Sequence, residues 1–327
     1  MYEFFANILR GLYSFIGNYG VCMIIFTLLV KLIVLPLDYK SRKGMRRMTS
    51  MQPQLQKLQK KYANDKEKLN QKTAELYRSA GVSPMSGCLP MLVSMVILWI
   101  MWGSMRLVAN TELVRQSLQL LINGEQVNES FLWIRNIWVA DSPFHPMIAI
   151  SSDFQQIPAD IWTSVFASLS EAEVAALAPM GIAADTINAT TVSAALSQLP
   201  LYTAETALNA TLPYINLLIT KLYIYANNNG WFVLPIAAAV SQFLMTATQP
   251  QQPAAEGANA GGMNGFMKYF FPLFSLWLCS SYSAMFALYW VVSNLFAWAE
   301  QIIFNKIFEA EDAKNAVTES VGEVSLK

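Results

Sequence analysis

The chain has 327 residues, of which 54% are apolar and only 13% charged, against roughly 45–50% and about 25% in an ordinary globular protein, which disfavours a soluble enzyme. Its 22 basic and 22 acidic residues cancel, so no global charge points to a nucleic-acid sequence or to another polyanion as partner. The single histidine, His145, and three widely separated cysteines, Cys22, Cys88 and Cys279, form neither a zinc motif nor a disulfide framework, and no metal or cofactor is expected.

Crossing a hydrocarbon layer of about 30 Å takes roughly 17–25 mostly apolar helical residues. Five stretches approach that requirement, so the expected fold class is an all-α integral membrane protein. It has five transmembrane helices, a cytoplasmic helical hairpin and an enlarged, mostly helical outer segment. Residues 1–18 come first, with Phe4, Phe5, Ile8, Leu12, Phe15 and Ile16 at helical spacing. This is a helix lying in the outer membrane interface or one packed on the core, and both readings stand. The start, Met1-Tyr2-Glu3, lacks the basic region and small-residue cleavage site of a secretory signal, so no removal is expected.

The first span is 19–37. The loop at 38–84 carries twelve basic residues, from Lys40 to Arg78, against Asp38, Asp65, Glu67 and Glu75, and cytoplasmic segments are the ones that retain Lys and Arg. Its apolar stripes, Met45, Met48, Met51, Leu55 and Leu58, then Leu69, Leu76 and Tyr77, predict two helices broken at Asn64-Asp65, with Pro53 kinking or restarting the first and Gly81 ending the second. The methionines suit a surface that accepts varied apolar partners, and plain packing within the hairpin explains them as well.

The second span is 85–106, and the outer segment is 107–230, with an extra insertion at 144–229. From Arg106 to Gly230 four basic residues face ten acids, which places this segment outside. Ser170 to Glu173 reads as a capping box. Asn128, Asn188 and Asn209 match the glycosylation acceptor pattern by chance, and His145, between Pro143 and Pro146, reads as a loop residue. The third span is 231–248. A mobile, Pro- and Gly-rich linker follows at 249–265, then spans at 266–281 and 282–305 separated near Ser280-Ser281-Tyr282-Ser283, and an acidic tail at 306–327. Five spans put the N-terminus outside and the C-terminus in the cytoplasm.

No nucleophile-and-base pattern, phosphate loop or metal cluster gives catalysis a seat. What stands out is Lys31 inside the first span, because a charge near the bilayer centre costs about 2.5–3.5 kcal/mol on insertion scales. A snorkelling lysine and a functional one remain open. Thr27 lies one turn earlier on the same face. Ser94, Ser241, Gln242, Ser293 and Asn294 are further polar groups at membrane depth, lining a wet cavity or tying helices together by hydrogen bonds.

The residues also carry a resemblance to a known family. Gly17-Asn18-Tyr19-Gly20, Val30 to Leu37, Met51-Gln52-Pro53-Gln54-Leu55, Gly81 to Pro90, Phe131-Leu132-Trp133-Ile134, Asp141-Ser142-Pro143, Leu234-Pro235-Ile236 and Ala287 to Leu295 occur in the order and spacing of the YidC/Oxa/Alb family of membrane protein insertases, which the chain resembles over nearly its whole length. The resemblance implies a five-helix core with a hydrophilic groove open to the cytoplasm, client insertion without nucleotide, and residence in the bacterial cytoplasmic membrane. The implied partners are nascent membrane proteins, with the ribosome, the signal recognition particle pathway and the Sec translocon.

Carried over by position, the family's groove arginine falls on Lys31, its threonine on Thr27, its second-span glutamine on Ser94 and its client-contacting aromatic pair on Tyr289 and Trp290. Gln242 and Asn294 complete the expected groove. Met45, Met48, Met51, Arg46 and Arg47 form the expected contact of the hairpin with clients or ribosome. Lysine keeps the charge and loses the five-donor fork of arginine. Two other readings use the same residues: a transporter or channel working through Lys31, and a surface module built on the acidic segment 144–229. The transporter reading predicts paired halves with broken helices, and no such repeat is present.

Overall fold

The computed structural model describes residues 1–79, 81, 89–207, 212–217, 220–248 and 260–325, with side chains described except at 89–94, 217, 220, 260–265 and 314–325. Residues 249–259 of the linker expected at 249–265, and residues 82–88 at the entry to the second span, lie outside the described residues, as does Asn209. Long apolar-periodic runs become long helices. These are α1 (Tyr2–Ile16), α2 (Tyr19–Ser50), α3 (Gln52–Lys61), α4 (Lys66–Ser79), α5 (Leu89–Asn123), α11 (Val233–Thr248), α12 (Ala260–Ser281) and α13 (Ala284–Ser325). Among the described residues, two helices are long and apolar enough to cross a membrane, Tyr19–Ser50 and Ala284–Ala313, and Val233–Thr248 is a shorter apolar helix.

Several boundaries differ from expectation for one physical reason. Helix propagates through amphipathic sequence without needing an apolar environment, so α2 runs thirteen residues past Leu37, α5 runs on to Asn123, and α13 carries the acidic tail as helix. Pro53 sits in the first turn of α3, where its missing N–H costs nothing, and so restarts the chain rather than kinking it. Residues 260–265, assigned to the linker, open α12, and the break between α12 and α13 is Tyr282-Ser283, within the polar cluster.

The chain divides into two compact units. The first holds Met1–Thr27, Ile100–Ala239 and Leu273–Val292; the second holds Leu28–Trp99, Val240–Pro272 and Ser293–Lys327. In the first unit the insertion builds a small core of its own from α6 (Ser151–Phe154), α7 (Ala159–Ala167), α8 (Glu171–Leu177), α9 (Ala189–Leu196) and α10 (Pro200–Thr206), burying Phe154, Trp162, Leu177, Val192 and Leu196. The Ser170–Glu173 capping box forms as read, with the Ser170 N–H donating to the Glu173 carboxylate at 2.7 Å. Asn188 caps α9, accepting from the Thr190 and Thr191 N–H groups, which gives its Asn-x-Thr pattern a structural use.

An antiparallel pair, β1 (Tyr214–Leu217) and β2 (Thr220–Tyr223), was not foreseen in this segment. The two ends of the insertion lie side by side. Tyr225 N–H donates to Pro143 O at 3.0 Å, Met147 N–H to Asn227 O at 3.0 Å, and Asn229 N–H to His145 O at 2.9 Å.

Large apolar side chains stand outward along the long helices, among them Ile33 (78% exposed) on α2, Trp99 on α5, Ile236 on α11, Leu273 (66%) on α12 and Ile303 on α13. α1 buries Ala6 and Leu9 on one face and leaves Phe4 and Phe15 exposed on another, so it has both a packed face and a bare one.

Candidate functional site

In the second unit, α2 presents Lys31, Asp38 and Arg42. At 100° per residue these positions fall within about 40° of one another, so they form a ladder of alternating charge down one face. Asp38, Glu300 and Arg42 all act electrostatically on Lys31. Glu300, from α13, has a side chain only 2% exposed, and its Oε1 lies 3.6 Å from Arg42 Nε. That separation makes an ion pair and no hydrogen bond, and Glu300 Oε1 has no hydrogen-bond partner among the described residues. Arg42 also stands 6.0 Å over the Phe304 ring, one turn beyond Glu300. Removing one member of such a buried pair typically costs about 3–5 kcal/mol, because the other charge is left uncompensated.

The same unit holds a polar knot. Asn294 donates from Nδ2 to Gln242 Oε1 at 3.1 Å and to Ser241 Oγ at 3.4 Å, all three being buried. Gln242 and Asn294, both expected groove residues, are therefore brought together. Ser94 has its side chain outside the described set. Thr27, Tyr289 and Trp290 belong to the first unit. Thr27 is buried and donates to its own helix at Met23 O, 2.7 Å. Tyr289 is 5% exposed, while Trp290 is half-buried and donates its indole N–H to Ser275 Oγ at 3.1 Å. Of the aromatic pair, Trp290 presents more surface.

The basic face of α2 beyond the span is partly occupied. Lys43 pairs with Glu311 and Arg46 with Asp312, each at 2.7 Å. The Tyr39 hydroxyl donates to Glu311 at 3.0 Å, and Arg46 lies over the Phe308 ring. Arg46 is thus held by α13, Arg47 is exposed, Met45 and Met48 are half-buried, and Met51 is buried. α3 and α4 lie against each other.

In the first unit, Asp141 is fully buried. Its Oδ2 accepts from the Leu234 N–H at 2.7 Å, at the N-terminus of α11, and from Trp133 Nε1 at 3.3 Å. Asn229 locks the loop beside it, donating to the carbonyls of Asn136, Val139 and Ala140 and accepting from the Asn136 N–H. Gly230, with φ +155, leaves room for Asp141, which a Cβ there would strike. His145 is a loop residue, yet it is engaged by Asp153 at 3.1 Å. Burial pushes its pKa down, the Asp153 charge and hydrogen bond push it up, and the balance lies above the ordinary 6.5.

Residues 11–312 match the 60Kd inner membrane protein family. The chain belongs to that family. It is similar to the membrane protein insertase YidC of Fusobacterium nucleatum, 47% identical over 104 residues that make up 32% of this chain and 51% of the relative. The YidC insertase of Chlorobium limicola is 39% identical over 129 residues, 39% of this chain and 20% of the relative. That of Oleidesulfovibrio alaskensis is 47% identical over 89 residues, 27% and 17%. The chain spans about half, or less, of the length of these relatives.

Within this chain, sequence blocks quoted for the resemblance meet in the first unit. The Phe131 ring rests on Gly20, where a Cβ would clash. Asp141 binds Leu234, and the N–H groups of Ala284 and Met285 donate to Val139 O and Ile137 O at 2.9 and 3.0 Å. Sequence reasoning missed Glu300, which acts on Lys31 electrostatically and pairs with Arg42. The signal for Glu300 was present, since it is a carboxylate inside the segment read as the last span.

Proposed function

We propose that the protein is a membrane protein insertase and foldase that guides client transmembrane segments into the bilayer, without nucleotide hydrolysis, through a hydrophilic groove open to the cytoplasm. In this reading α2, α5, α11, α12 and α13 supply five spans, the N-terminus lies outside and the C-terminus in the cytoplasm. α3 and α4 form the cytoplasmic hairpin that receives clients. The observation carrying the reading is the charge ladder of Lys31, Asp38 and Arg42 facing Glu300, on helices whose other faces expose large apolar side chains. Charge at that depth is retained where it lines a wet passage.

A client's polar end meets this passage instead of hydrocarbon, where each unsatisfied backbone group would cost several kcal/mol. Its apolar segment of about 20 residues then enters lipid, and that burial supplies the free energy. Lys31 attracts acidic client residues, and Thr27, Ser94, Gln242, Asn294 and the pair Tyr289 and Trp290 are proposed as groove or client contacts. Met45, Met48, Met51 and Arg47 are proposed to meet clients or the ribosome. Nascent membrane proteins are the substrates, with the ribosome, the signal recognition particle pathway and the Sec translocon as proposed partners.

The test is insertion of a single-spanning client with an acidic outer tail into liposomes containing only the purified protein, wild type against Lys31→Leu. Insertion by the wild type and its loss in the variant are expected. Equal insertion with the variant would remove Lys31 from the passage, and no insertion above empty liposomes by either protein would overturn the reading.

A further inference from the structure

We propose that Glu300 is the built-in counter-ion of the cations opposite it and sets the charge of the client segment that the passage admits; this rests on the insertase reading. In formal charge, the bases Lys31 and Arg42 are matched by the acids Asp38 and Glu300. The ladder is therefore balanced, although taken alone α2 shows a surplus positive charge on this face. The carboxylate of Glu300 is buried but loosely held. It stands 3.6 Å from Arg42 Nε, and its Oε1 accepts no hydrogen bond from any described residue. Trp298 Nε1 and Gln301 Oε1, close by on the same helix, are likewise buried without a hydrogen-bond partner among the described residues.

Such an arrangement suits exchange of partners. A client carboxylate reaching Arg42 displaces Glu300, while a client ammonium finds Glu300 and Asp38 already placed. The Phe304 ring keeps Arg42 in position during either exchange. A balanced ladder passes both signs of charge; an unbalanced one would favour acids and reject bases by like-charge repulsion.

Three versions of one client, with a neutral, a di-aspartate or a di-lysine outer tail, are compared in liposomes with wild type, Glu300→Gln, Arg42→Gln and the double variant. Glu300→Gln is expected to raise the ratio of acidic to basic insertion severalfold, the neutral client serving as the reference to which both are scaled. Arg42→Gln should move the ratio the opposite way, and the double variant should return it to the wild-type value. An unmoved ratio, or an equal fall for all three tails, would overturn the assignment of Glu300 while leaving the insertase reading intact. Failure of the wild type with all three tails would remove that reading and this one together. If Glu300→Gln does not fold, the ratio in Arg42→Gln and its reversal in the double variant decide the matter.

Discussion

Lys31 sits among leucines, Leu28 and Leu32 being exposed beside it, and in the proposed first span its charge is the most expensive single choice. An arginine there keeps the charge and adds donors, so Lys31→Arg should match or exceed wild-type insertion. Lys31→Gln should weaken acidic-tailed clients most, and Lys31→Leu should abolish their insertion; insertion rates into liposomes check the series. Asp141 is a different kind of buried acid, because it closes the N-terminus of α11. Asp141→Ala leaves the Leu234 N–H buried without a partner, a loss of about 1–3 kcal/mol. Gly230→Ala forces a side chain into the space of Asp141 at a left-handed φ, a strain of about 1–3 kcal/mol. Unfolding in detergent should show both. His145 titrates above its ordinary 6.5 in the fold, so the folded state holds the proton more tightly. Its stabilisation is full below about 6.5 and fades as pH rises through the raised value. Thermal unfolding across that window should show this slope in wild type and its absence in His145→Gln. The Ser170 cap was legible in sequence because a local rule governs it. Asp141 was not, because its partner is 93 residues away and no spacing rule reaches that far.

At the scale of elements, apolar periodicity finds the long helices and says little about where they stop. α2 continues to Ser50 through Arg42, Lys43, Arg46 and Arg47, past Gly44, because the long basic side chains are good helix formers. Its basic face then lies along Glu311 and Asp312 of α13. These pairs are well exposed, so each contributes about 0–1 kcal/mol. Glu311→Gln with Asp312→Asn should leave global unfolding nearly unchanged and still speed hydrogen exchange in the far turns of α13. High salt should do the same to wild type, since the screening length falls from about 10 Å at 0.1 M to about 3 Å at 1 M. The knot at Asn294 behaves differently, for buried hydrogen bonds between membrane helices average about 0.6 kcal/mol and reach about 1.7. Asn294→Ala breaks bonds to both Gln242 and Ser241 and should lower the unfolding midpoint measurably. That polar groups at 241, 242 and 294 exist was readable; that they meet each other depended on helix rotation, which composition does not encode.

For the whole molecule, the charge asymmetry of the sequence coincides with a division of the chain. The basic loop falls in the second unit and the acidic segment in the first. The β1–β2 pair stayed hidden because two strands of four residues alternate too briefly to register against a helical background. The insertion has a core of its own, and its two ends are stitched by hydrogen bonds from 143–147 to 225–229. Replacing residues 148–224 with a short Gly/Ser link should leave a folded protein with the Asp141–Asn229 region intact, checked by unfolding and by protection of Asn136 to Asp141. The end of α5 should loosen, because Leu120 shares a crevice with Leu196 of α9. Chain that departs and returns through one doorway places little constraint on what lies beyond it. The doorway is therefore a socket, into which any module with adjacent termini can be fitted while the long helices stay as they are.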